Sequence, residues 1–278
     1  MDSLTKGPSP KTAALAERYG AAIPAAGPWN DIVAALVDHR SVRSYKPDAL
    51  PAGTLETLVA AASSAATSSN MQWFSVVAVT DPATKKAMAE VSGGQKHIEQ
   101  CPLFLCWVAD LSRNQRLSEA EKTPLEAMPY LEVYTVACVD TALAAQNAVV
   151  AAEALGLGTV YIGALRNDPA RVAELLGLPK KAFVVFGLCI GYAADGASAE
   201  IKPRLPQSMV LHHGKYDANN ADAGRKAYDA ELEKFSRRNE MEASTWTNRV
   251  LVRLGPLKAM SGRNMMRTVL EKMGFEFR

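Results

Sequence analysis

The sequence predicts a chain of mixed helix and strand, either α/β or α+β. Three observations predict it. Four apolar runs of strand length lie at 72–79, 103–109, 159–165 and 182–190. Segments with helical apolar spacing alternate with them. The last eighty residues are polar, hold most of the late arginines, and read as two or three helices without strong cores. At 278 residues, 48% of them hydrophobic, the chain can bury a sizeable core.

Residues 1–28 are rich in Ala, Pro and Gly and read as an N-terminal extension with at most a short helix over 11–19. Residues 29–278 read as one domain, including a C-terminal excursion from about 205. The segment 29–39 sets Ile32, Val33, Leu36 and Val37 on one helical face, and 54–65 spaces Leu55 and Leu58 the same way behind Pro51. After the first strand, Asp81 and Pro82 open a helix that ends before Gly93-Gly94. Residues 110–130 are charged and read as an irregular surface excursion. A long helix follows over 131–155 and stops at Gly156. Asp168 caps a short helix that runs to Leu176 before the last strand.

Lys+Arg number 31 and Asp+Glu 29, a net of +2, which gives no reason to expect nucleic-acid or membrane-surface binding. Cys101, Cys106, Cys138 and Cys189 form no C-x-x-C pair and read as reduced, buried thiols of a cytoplasmic protein. The first residues contain no apolar signal-like segment. The longest apolar stretch, 131–157, carries Asp140, Gln146, Asn147 and Glu153, groups costly in hydrocarbon, and so reads as a buried helix rather than a membrane span. No P-loop, no paired Cys/His metal spacing and no nucleophile elbow occurs. Gly156-Leu157-Gly158 ends a helix and opens a strand, the wrong order for a dinucleotide fingerprint. A chain without its own nucleophile, base or metal suits chemistry carried by a bound cofactor.

Four donor clusters stand out. His39, Arg40, Ser41 and Arg43 crowd one short connector, where guanidinium forks match phosphate geometry; a solvated helix end would also favour cations. Ser68, Ser69, Asn70 and Gln72 precede the first strand, either as ligand donors or as plain turn chemistry. Gly93, Gly94, Gln95, Lys96 and His97 give a backbone that can approach a ligand or simply end a helix. Lys202 and Arg204 flank Pro203, as a cationic pair or a polar loop. Together they suit a ligand with a phosphate at one end and a flat, hydrogen-bonding body at the other.

On these residues the chain resembles the nitroreductase superfamily, in the group of NADPH-type oxygen-insensitive nitroreductases and flavin reductases. The matching segments are H-R-S-V-R from 39, S-S-N-M-Q from 68, G-G-Q-K-H from 93, D-T-A-L-A-A-Q-N-A from 140, G-L-G-T-V-Y-I-G-A-L-R-N from 156, F-G-L-C-I-G from 186 and K-P-R-L-P from 202. The resemblance implies an α+β fold with a mixed central sheet flanked by helices, an interlocked homodimer, and tightly bound, non-covalent FMN. It implies that Arg40 and Ser41 meet the FMN phosphate with His39 nearby, that Arg43 faces the N1–O2 edge of the ring, and that Lys202 and Arg204 form a second phosphate clamp. Ser68, Ser69, Asn70 and Gln72 match a stretch supplied by the partner subunit, and Gln95 matches a ring contact. Tyr161, Ile162, Gly163, Ala164, Leu165 and Arg166 match the strand end beside the ring.

The implied activity is two-electron reduction of nitroaromatics and quinones by NADPH or NADH, with the flavin carrying the hydride and no catalytic side chain. Arg237 and Arg238 match arginines that meet the NADPH 2′-phosphate, while Glu240, Met241 and Glu242 stand where another arginine is expected. A flavin reductase serving a partner monooxygenase is the nearest alternative. A protein that binds FMN or another phosphorylated ligand without catalysis is the second.

Overall fold

The computed structural model describes residues 9–197, 199–241 and 245–278. The chain divides into two compact units: the described residues of Met1–Arg40 with Ser198–Ala259, and Ser41–Ala197 with Met260–Arg278.

The second unit holds the sheet. Strands β1 (Phe74–Val79), β2 (Leu103–Asp110), β3 (Gly158–Ile162) and β4 (Ala182–Gly191) lie in the order β1-β2-β4-β3. Every strand pair is antiparallel, with Val77 opposite Cys106, Leu105 opposite Leu188, and Tyr161 again opposite Leu188. The parallel component expected of a mixed sheet is a single bridge, Ser41 with Thr159. All eight residues of β2 are buried, as a central strand covered on both faces requires.

Helix α7 (Leu131–Ala154) covers one side of the sheet, and α3 (Thr54–Ser63) packs against α7. Their core joins Leu58, Leu105, Trp107, Ala144, Ala148, Val149, Leu188 and Ile190. The alanines on the buried side of α7 let the helix lie close to the strands. A second core gathers Ala109, Leu111, Phe183, Leu270 and Phe275. Gly187 is required by packing, since a Cβ there would lie 2.4 Å from the Phe104 ring.

Helix α4 (Pro82–Val91) starts as expected, with the Asp81 carboxylate accepting from Thr84 N at 2.8 Å. Helix α8 (Pro169–Leu176) is capped likewise by Asp168, and Gly177 closes it at φ 61°. A short helix, α5 (His97–Gln100), separates α4 from β2. The segment expected to be irregular contains a helix, α6 (Ser112–Glu121). Its sequence is nearly all polar, so no apolar stripe marked it. The third strand is shorter than expected: it ends at Ile162, and Gly163–Asn167 turns as a 3-10 helix.

The first unit is helical: α1 (Pro10–Tyr19), α2 (Asp31–Asp38), α9 (Ala221–Arg238) and α10 (Trp246–Leu254). Ser9 and Asn30 accept the N-cap bonds of α1 and α2. Tyr228, Leu232 and Phe235 form its small core with Leu205 and Trp246 against them. Helix α11 (Met266–Lys272) belongs to the sheet unit. All four cysteines are free thiols, three of them buried.

Candidate functional site

In the helical unit, the basic segments 39–40 and 202–204 are fixed by a residue of the N-terminal extension. Arg18, 5% exposed, donates to the carbonyls of Val37, His39 and Lys202. Arg204 N in turn donates to Arg18 O at 2.9 Å. Tyr228 Oη holds the carbonyl of the intervening Pro203 at 2.9 Å. The side chains on this frame are open to ligands in different degrees. Arg40 is exposed and paired with Asp38 at 2.9 Å, an exposed contact worth about 0–1 kcal/mol that a phosphate can replace. Arg204 is exposed, and the Lys202 ammonium sits 5.9 Å over the Phe235 ring.

In the sheet unit, Val42 N donates to Thr159 O at 2.9 Å, so the chain runs extended alongside β3. Val42 is buried and Arg43 is exposed. Gly158 permits this approach, because a Cβ there would lie 2.6 Å from Val42 Cγ2. Among the described residues, Arg43 makes a long contact to Ser41 O at 3.5 Å.

The amide-rich connector is wound tightly. Ser69, Asn70 and Gln72 all have left-handed backbones, at φ 49°, 55° and 52°. Asp140 on α7 holds this turn: its carboxylate accepts from Thr67 Oγ1 at 2.5 Å, Ser68 N at 3.1 Å and Trp73 N at 3.3 Å. Arg113 adds bonds to the carbonyls of Gln72 and Phe74. The side chains of Ser68, Ser69, Asn70 and Gln72 are thereby left at the surface.

Gly93 and Gly94 take φ 78° and 79°, which glycine adopts without strain, and Gln95 bonds Ser92 O at 2.9 Å beside them. His97 Nε2 is buried with no hydrogen-bond partner among the described residues. Burial first, and then the Arg43 cation, hold its pKa below the ordinary value, so the ring is neutral near pH 7.

At the end of β3, Ile162 and Leu165 are each 1% exposed and place their side chains in the core, so these two offer a ligand main chain. Tyr161 meets Phe186 edge-on at 4.8 Å, and its hydroxyl pKa is raised by burial. Gly163 and Ala164 follow in the 3-10 turn, and Arg166 donates to Val185 O. Arg237 and Arg238 end α9, paired with Glu233 at 2.5 Å and Glu200 at 3.2 Å. Of the acidic segment expected nearby, Glu242 lies outside the described residues.

Sequence reasoning missed two scaffold residues. Arg18 lay in a helix read as optional; its spacing of three from Leu15, the other buried residue of α1, was the available signal. Asp140 was visible as a charge in an apolar run, but its partners were not. No group of three or more metal-ligating side chains occurs among the described residues.

The fold is thus α+β, an antiparallel four-stranded sheet flanked by helices. The nitroreductase family model matches residues 36–192, and the C-terminal domain model of that family matches 202–278. The chain is 35% identical over 227 residues to an FMN reductase (NADPH) of Bacillus subtilis, covering 80% of this chain and 90% of that protein. It is 36% identical over 217 residues to an oxygen-insensitive NADPH nitroreductase of Salmonella typhimurium, covering 77% and 87%. Among solved structures, the NADPH:FMN oxidoreductase of Vibrio harveyi in complex with NAD+ superposes with a TM-score of 0.78 at 32% identity, over 90% of this chain and all of that one. This chain belongs to the nitroreductase family.

Proposed function

We propose that this protein is an FMN-dependent NAD(P)H oxidoreductase that reduces nitroaromatic compounds and quinones two electrons at a time. The observation that carries the reading is the joining of two basic segments, 39–40 and 202–204, on one buried side chain. A phosphate clamp drawn from distant parts of the sequence needs such a join. The donor chemistry fits FMN. Arg40, Lys202 and Arg204, with His39 beside them, supply cations for the phosphate. Ser41 adds a hydroxyl for the phosphate, and Arg43, the 68–72 connector and Gln95 supply guanidinium, hydroxyl and amide groups for the polar edge of the ring. The 161–166 segment supplies main chain and an aromatic neighbour.

When bound, FMN would supply the redox chemistry, a two-electron exchange between the nicotinamide donor and the acceptor. The chain's own part is to bind, orient and neutralise. Arg43 brings a permanent positive charge toward the pyrimidine edge, where negative charge grows on reduction. The neutral His97 adds no second cation there. Arg237 and Arg238 are assigned to the donor's 2′-phosphate, and each must exchange its carboxylate partner for that phosphate. We place the reaction in the cytoplasm, where free thiols persist. The unit of function is assigned as a homodimer.

Anaerobic NADPH or NADH should bleach the flavin absorbance of the purified protein, and a nitroaromatic or quinone should restore it. A colourless protein that refuses FMN ends this reading. A second reading, with free FMN as the acceptor, is favoured by the reductase activity in the name of the Bacillus relative. Free FMN turning over faster than every nitro compound and quinone tested would establish it.

A further inference from the structure

We propose that Arg18 is a positioning residue for the phosphate clamp, a role that rests on the FMN reading above. Arg18 stands ahead of the family-matched region, which begins at residue 36. Its Nε and Nη2 donate to Val37 O at 3.0 and 2.6 Å, and Nη2 also reaches His39 O. Its Nη1 donates to Lys202 O at 2.8 Å, and its own carbonyl accepts from Arg204 N.

Every residue assigned to the clamp in this unit is therefore either bonded to Arg18 through its main chain or adjacent to one that is. His39, Lys202 and Arg204 are direct partners, and Arg40 follows His39. A planar guanidinium can serve several carbonyls in fixed directions at once, which an ammonium on a flexible stem cannot. The N-terminal extension thus fixes the spacing between two cationic segments whose own sequences do not. The buried Arg18 cation also adds to the potential that draws a phosphate.

A purely structural role for Arg18 would loosen α1 against α2 and weaken every ligand alike. A positioning role strikes the phosphate selectively, and riboflavin, which lacks that phosphate, separates the two. The experiment uses the full-length protein after reversible removal of flavin, with dissociation constants for FMN and riboflavin read by flavin fluorescence. Arg18→Met and Arg18→Lys are expected to weaken FMN at least about tenfold while riboflavin changes by less than about threefold. Arg18→Lys keeps the charge but not the fork, and it carries the test if Arg18→Met does not fold.

Thr247→Val removes a bond to Asp229 in the same unit and serves as the stability control. It should lower Tm and leave the FMN-to-riboflavin ratio unchanged. An unchanged ratio in both Arg18 variants overturns the proposal. A wild-type protein that binds neither flavin overturns the FMN reading itself. One that binds both equally overturns the phosphate clamp and the role of Arg18 with it.

Discussion

At position 140 a carboxylate only 2% exposed accepts three hydrogen bonds from the connector 67–73. Removing it strands two main-chain N–H groups and a hydroxyl in a half-buried place. Asp140→Ala should therefore cost about 2–4 kcal/mol of stability, and Asp140→Asn, which retains one acceptor, about 1–2 kcal/mol. Urea denaturation checks both, and equal costs would show that the carboxylate's bonds are not what holds the turn. Asp110 gives a pH-dependent counterpart. Burial pushes its pKa up, but the Ser112 and Ser75 hydroxyls, Ser112 N and the Arg113 cation together hold it below the ordinary carboxylate range. A folded pKa below the unfolded one means that this stability is present above about pH 4 and is lost as pH falls through the folded value. Ser75→Ala removes one donor and raises the folded pKa. Acid unfolding followed by circular dichroism should then begin at higher pH than in the wild type.

At the scale of elements, the connector stores backbone strain. Ser69 is left-handed at φ 49° whereas Ser68 is not, so glycine should act differently at the two positions. Ser69→Gly should be less destabilising than Ser68→Gly by about 1–2 kcal/mol, because only the first relieves an unfavourable backbone. Similar unfolding midpoints for the two variants would refute that. The turn itself was legible, but its hand was not, since Ser-Ser-Asn reads as turn chemistry without stating the sign of φ. The regular elements were far more legible. The β2 run is apolar with no breaker, the β4 run is apolar around a single Gly187, and Asp81-Pro82 and Asp168-Pro169 announce helix starts by capping chemistry that acts within one turn. The 112–121 helix was hidden because it has no apolar stripe, and the early end of β3 because Gly163 is a lone weak break inside a run that continues apolar through Ala164 and Leu165. Among candidate site residues, types and motif order were readable, but the parts played by Arg18 and Asp140 depend on partners far along the chain. Periodicity reports neighbours at three or four residues and says nothing of those.

For the molecule as a whole, the apolar surface is the physical clue to assembly. Helix α7 is apolar nearly all round, a pattern that suits burial on every side. It has the length and hydropathy of a membrane span, yet it packs on the sheet, and its Asp140 is bonded to protein. Val139 and Leu143, four residues apart and so on one face, remain exposed. In the helical unit, Leu251, Val252, Leu254 and Leu257 are exposed as well. Apolar side chains gathered this way on a folded chain mark surfaces that a partner covers. In the homodimer proposed above, a second copy of the chain would be that partner, and Ser68–Asn70 of each subunit would serve the other's flavin. Burying two such side chains contributes about 3–5 kcal/mol, so charging them should weaken a dimer by roughly two to four orders of magnitude. Val139→Glu with Leu143→Glu is therefore expected to convert a dimer into a monomer at micromolar concentration in analytical ultracentrifugation, with loss of bound flavin in the same sample. Exposed glutamates on α7 leave the core alanines of the opposite face in place, so the monomer should stay folded by circular dichroism. A wild-type protein that sediments as a yellow monomer would refute the shared-site arrangement while leaving the oxidoreductase reading intact, because a single subunit would then hold every group the cofactor needs.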